Sequence, residues 1–131
     1  MRASIEARDA LGRTPLLHAI EGKNVEAVST LHYCGAVFDA GTFDGDFLMH
    51  LAVRCDDPST VQLLLAARCG TEDKDYGGHT ALQLAALRGS NKALRTLYAF
   101  QADLTVKDER ARTVLAMAVV RGHAHVVQTL L

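Results

Sequence analysis

Asp9-x-x-Gly12-x-Thr14-Pro15-Leu16-x-x-Ala19 comes back 66 residues later as Asp75-x-x-Gly78-x-Thr80-Ala81-Leu82-x-x-Ala85. Half of that interval is the underlying step. Ala19, Ala52, Ala85 and Ala118 stand 33 residues apart, and so do Leu16, Met49, Leu82 and Leu115. Val28, Val61, Leu94 and Val127 keep the same spacing, as do Leu31, Leu64, Leu97 and Leu130. Gly12, Gly45 and Gly78 follow it with Ala111 in the fourth place, and Thr14, Thr80 and Thr113 follow it with Phe47 as the exception. Agreement in this many registers marks a repeat array. One unit cannot bury its apolar face alone, and stacked units can.

Each unit reads as two short helices and a turn. Thr14 suits an N-cap and Pro15 the first helical position, where its missing N–H costs nothing. Leu16, Ala19 and Ile20 then lie at i, i+3 and i+4, on one helical face. After Gly22-Lys23-Asn24 a second helix carries Val25, Val28 and Leu31 inward. In the second unit Asp57 caps and Pro58 opens the equivalent helix, and Ser90 is placed to cap it in the third. Gly35 follows the first unit's second helix, as a left-handed C-terminal residue would. The polar stretches 39–46, 72–79 and 105–112 read as turns that project to one side.

Composition agrees with a folded chain of one domain. The 131 residues are 49% apolar and 22% charged, with two prolines and ten glycines, which argues against disordered and collagen-like classes. A net charge of −1 excludes a strongly basic nucleic-acid binder. The charge is nevertheless unevenly spread. Residues 1–66 hold five Lys/Arg and nine Asp/Glu (−4), and residues 67–131 hold nine and six (+3). Cys34, Cys55 and Cys69 cannot all pair within the chain, which favours a reducing, cytoplasmic or nuclear compartment. The longest uninterrupted apolar run, Val114–Val120, is far shorter than the ~18 residues of a membrane span, so direct membrane insertion is not expected.

The strings beginning at Asp9 and Asp75, together with His50-Leu51-Ala52 and Arg121-Gly122-His123, resemble the ankyrin repeat. The resemblance covers residues 9–131. It implies an all-α solenoid of stacked helix-turn-helix units with β-hairpin-like loops, slightly curved and L-shaped in section. It divides the chain into a tail of a preceding repeat (1–8), repeats at 9–41, 42–74 and 75–107, and an incomplete one at 108–131, as in a piece of a longer array. Departures concentrate in the second unit, where Thr42 replaces the leading aspartate and Phe47 the capping threonine. Arg68 and Gln101 stand where the family has glycine after the second helix, which requires either a left-handed side-chain-bearing residue or a different turn.

Signs of catalysis are weak. There is no Gly-x-Ser-x-Gly elbow, and Leu17 occupies the place of the early glycine that a phosphate loop ending at Gly22-Lys23 would need. The i, i+2 spacing of His123 and His125 points them to different helix faces, so no metal site is expected. His123 and His50 instead match family positions that tie down backbone. Asp44/Asp46 and Asp56/Asp57 sit in turns, where aspartate satisfies backbone donors. Cys34 and Cys69 read as small packing residues, and Cys55 as a turn residue with some exposure. The expectation is a chain with no enzymatic activity, cofactor or metal.

The resemblance implies instead a protein-binding scaffold with a partner protein or peptide on its concave surface of loop tips and first-helix ends; a monomer in solution is expected. Mapped by period, the tips hold Ala10, Leu11 and Arg13; Phe43, Asp44 and Asp46; Tyr76, Gly77 and His79; and Glu109, Arg110 and Arg112. The helix ends add Glu21, Arg54, Cys55, Leu87, Arg88 and Arg121. Aromatic and arginine side chains dominate interface energetics, which favours Phe43, Tyr76, Arg88, Arg110 and Arg112, with Asp44, Asp46 and His79 beside them. Alternatively the array is the targeting arm of a larger enzyme, a ubiquitin-ligase complex or a membrane-associated protein.

Overall fold

The computed structural model describes residues 3–38, 48–100 and 102–131. They form eight helices: α1 (Pro15–Glu21), α2 (Val25–Tyr33), α3 (Leu48–Arg54), α4 (Pro58–Ala66), α5 (Ala81–Arg88), α6 (Asn91–Ala99), α7 (Val114–Val120) and α8 (Ala124–Leu130). Consecutive helices pair as α1–α2, α3–α4, α5–α6 and α7–α8. The first helices form one row (α1, α3, α5, α7) and the second helices another (α2, α4, α6, α8). The core lies between the rows and runs unbroken from Leu16 to Val126.

The four alanines explain how each pair closes. Their carbonyls accept hydrogen bonds from the N–H groups of Asn24, Asp57, Ser90 and His123, five residues on, which satisfies a helix-end acceptor and reverses the chain. The residue just before each of these donors is left-handed: Lys23 (φ 54°), Asp56 (48°), Gly89 (73°) and Gly122 (73°). Ala52, Ala85 and Ala118 are fully buried, since a larger side chain there would hold adjacent helices apart.

Caps at first helices follow the sequence. Thr14 and Thr113 hydroxyls accept from Leu17 and Ala116 N–H, and Thr80 makes a reciprocal capping box with Gln83. Asp57 caps α4 by accepting from Ser59 N–H and the Thr60 hydroxyl. Ser90 does not cap α6 with its side chain. That hydrogen bond comes from Asp56 in the preceding unit, whose Oδ1 accepts from Ala93 N–H at 3.0 Å. Gly35 is left-handed as expected (φ 92°), and Arg68 adopts the same conformation (φ 61°) without being glycine. Gln101, Thr42 and Phe47 lie outside the described residues.

One packing expectation is corrected. Cys34 ends α2 on the exposed surface and contributes nothing to the core, because it falls two residues short of the core-facing position, which Ala36 holds in its unit. Cys69 holds that position and packs on the core, its thiol 3.7 Å from the Phe38 carbonyl. The loops also lack strands among the described residues. Each described tip is closed instead by two backbone hydrogen bonds and one aspartate.

Candidate protein-binding surface

Three tips share one construction. Asp9, Asp75 and Asp108 each donate a backbone N–H to the carbonyl four residues on, that of Arg13, His79 or Arg112. Each aspartate's Oδ1 then accepts two N–H groups from inside the turn, at 2.8–3.0 Å: Leu11 and Arg13, Gly77 and His79, Arg110 and Arg112. The carboxylate therefore replaces a strand ladder and fixes the loop. At two of the three tips its charge is stabilised accordingly. Hydrogen bonding to Arg13 N–H, against partial desolvation, takes the Asp9 carboxyl down to about 2. At Asp108 burial pushes upward, and the Arg112 and Arg110 N–H groups with the Arg112 guanidinium outweigh it, leaving the carboxyl below its ordinary range.

Two first-helix side chains pin the tips from beneath. His50 Nε2 lies 2.8 Å from the His79 carbonyl, and Gln83 Nε2 donates to the Val106 carbonyl at 3.3 Å. His50 thus ties down loop backbone, as its sequence position suggests. His123 does the same elsewhere, its Nε2 2.9 Å from the Leu87 carbonyl.

On this frame the sequence-predicted residues separate into two groups. Tyr76 stands 82% exposed at its tip, and Arg88 and Arg110 are exposed on α5 and the last tip. Arg112 and His79 are instead part of the frame. Arg112 Nε meets Asp108 Oδ2 at 2.8 Å, and half-buried His79 faces Asp75 at 3.9 Å. Arg13 is similarly engaged by Asp9 (3.2 Å) and Glu21 (3.1 Å). The i, i+4 spacing shared by Asp9–Arg13 and Asp108–Arg112 is the sequence signal that could have sorted these arginines. Phe43, Asp44 and Asp46 lie outside the described residues. A cleft of about 440 Å³ between the last two tips is lined by Gly77, His79, Asp108, Glu109, Arg110, Arg112, Val120 and Arg121. Arg121 was placed at this surface by period, and Val120 was missed, since an apolar helix-end residue reads as core.

Among the described residues no group of three or more His, Cys, Asp or Glu side chains is placed to hold a metal ion, and no helix is long and apolar enough to cross a membrane. At Cys55 burial pushes the thiol up, which disfavours the nucleophilic thiolate, and the thiol donates toward the Ile20 carbonyl at 3.6 Å.

Stacked helical pairs with rigid, side-chain-bearing tips define a solenoid built to present a surface to another macromolecule. The chain belongs to the ankyrin repeat family: the family described as "Ankyrin repeats (3 copies)" matches residues 2–75 and 48–131. It is 32% identical over 124 residues to an E3 ubiquitin-protein ligase of Arabidopsis thaliana, XBAT33, covering 93% of this chain and 24% of that protein. It is 30% identical over 112 residues to inversin of Mus musculus and, equally, of Canis lupus familiaris, covering 84% of this chain and 10% of each relative. The chain thus spans less than a quarter of the length of these relatives. Ankyrin repeats bind other proteins and are in general non-catalytic interaction modules.

Proposed function

We propose that this chain is a non-catalytic scaffold that binds a partner protein across its loop tips and the ends of α5 and α7. The observation that carries the reading is the aspartate-closed tip. It freezes the loop backbone before binding, so the exposed Tyr76 and Arg110 are presented with little ordering left to do, while helix α5 fixes the backbone of exposed Arg88. Large, rigid aromatic and arginine side chains on a preorganised frame are what interface hot spots are made of.

Affinity capture with cross-linking tests it. Changing Tyr76 and Arg88 together to alanine should weaken capture of the partner at least tenfold. Tyr33→Ala, at an aromatic 91% exposed at the end of α2, should leave capture unchanged. Capture that survives the Tyr76 and Arg88 changes, or that falls only in Tyr33→Ala, would mean the partner sits elsewhere.

A second reading makes these repeats the targeting arm of a larger ligase, with the active domain outside residues 1–131. It is favoured by the match to an E3 ubiquitin-protein ligase, of which this chain spans only 24%. Ubiquitin transfer to the captured partner by the longer protein, and not by this chain alone, would separate the two.

A further inference from the structure

The cleft between the last two tips has a chemistry of its own. Arg110 and Arg121 both line it and both are exposed. Among the described residues neither guanidinium has a carboxylate partner. The third arginine in the wall, Arg112, is held by Asp108 at 2.8 Å and is not available in the same way. Asp108 in turn spends both oxygens on its own loop, Oδ1 on two N–H groups and Oδ2 on Arg112. That leaves two uncommitted cations against one rim carboxylate, Glu109. Exposed Val120 supplies an apolar wall beside them.

We propose that this cleft takes a carboxylate side chain from an acidic segment of the partner, held between the guanidinium groups of Arg110 and Arg121. The inference rests on the scaffold reading and specifies its partner. Guanidinium matches carboxylate geometry with paired hydrogen bonds, and the half-enclosed cleft screens the pair less than open solvent would. A short acidic segment fits better than a long polyanion. Residues 67–131 carry nine basic and six acidic side chains (+3), whereas residues 1–66 carry five and nine (−4) and would repel a nucleic-acid backbone laid along the array. Glu109 at the rim likewise favours a singly charged carboxylate over a doubly charged phosphate.

The test uses a capped, fluorescein-labelled hexaglutamate peptide, read by anisotropy at low salt. Arg110→Gln and Arg121→Gln should each weaken binding about five- to tenfold, without lowering the melting temperature. Arg95→Gln changes net charge equally at an exposed position of α6 outside the cleft and should alter binding less than twofold. Binding should also weaken as salt rises. No hexaglutamate binding, equal loss in R95Q, or equal binding of hexaglutamine would overturn the inference. So would tighter binding of a phosphoserine peptide or of single-stranded DNA. Capture of the partner that survives R110Q and R121Q but not the Tyr76 and Arg88 changes would sink this inference alone and leave the scaffold standing.

Discussion

Left-handed backbone is where single residues in this chain work against the fold, and it separates side chains that merely tolerate strain from one that compensates for it. Lys23 and Asp56 occupy equivalent positions with φ of 54° and 48°, where the third and fourth units have glycine. A side chain there costs about 1–2 kcal/mol, partly offset by the greater unfolded freedom of glycine. Lys23→Gly should therefore raise stability by about 0.5–1 kcal/mol in chemical denaturation. Asp56→Gly should not, because it also removes the acceptor for Ala93 N–H and leaves the start of α6 uncapped. Arg68 (φ 61°) is exposed and belongs with Lys23. Titration gives a second residue-scale expectation. Asp9 has its carboxyl lowered from 3.8 to about 2 by Arg13 N–H and its other donors. A depressed acid contributes stability that is complete above its unfolded value and fades as protons bind the folded form. Thermal melts of the wild type should thus lose stability between about pH 4 and pH 2, and Asp9→Asn should flatten that stretch of the curve.

Between elements, the contacts that set register come from a side chain of one unit reaching backbone of another. His123 is the sharpest case: it starts α8, bonds the Leu87 carbonyl at the end of α5, and lies against Gly89. A Cβ on Gly89 would meet His123 Nδ1 at 2.6 Å, in a backbone with φ 73°. Gly89→Ala should cost about 2 kcal/mol or more, and His123→Ala about 1 kcal/mol. In the His123→Ala background the glycine substitution should cost less than alone, because only the backbone strain remains, and a double-mutant cycle of denaturation midpoints measures that difference. Such reach also decides what was legible in the sequence. Helix pairs could be read because apolar period, Thr14, Asp57 and Pro58 are local signals. The cap of α6 could not, since its acceptor, Asp56, lies 37 residues upstream and Ser90 looked adequate in its place. At the proposed surface, the exposed positions of Tyr76, Arg88 and Arg110 followed from period alone. That Asp108 engages the guanidinium of Arg112 and not that of Arg110 is set by how the tip closes, and only the i, i+4 spacing hints at it.

Across the whole molecule, stacking is directional, and this makes stability uneven. Leu16, Met49 and Leu82 are 1%, 2% and 1% exposed, and Ile20, Val53 and Ala86 are each 0% exposed. Their counterparts in the fourth pair, Leu115 and Val119, are 36% and 58% exposed. The faces that α1, α3 and α5 bury are thus covered by the following pair, and α7–α8 leans on α5 and α6 alone among the described elements. Six of the eight residues of α5 are buried, against Val126 alone in α8. In a one-dimensional stack the pair with neighbours on both sides opens last, and the pair with one neighbour opens at lower free energy. Hydrogen exchange should therefore be slowest in α5 and α6 and fastest, among the helices, in α8. Leu94→Ala empties a site with 0% exposure in the middle of the stack and should cost about 2–4 kcal/mol, speeding exchange in every helix from α3 to α8. Val126→Ala, at 1% exposure in α8, should speed exchange in α7 and α8 while α3 to α6 keep their protection. Exchange of α8 in step with α5, in the wild type and in both variants, would show a single cooperative unit and rule out neighbour-by-neighbour stability.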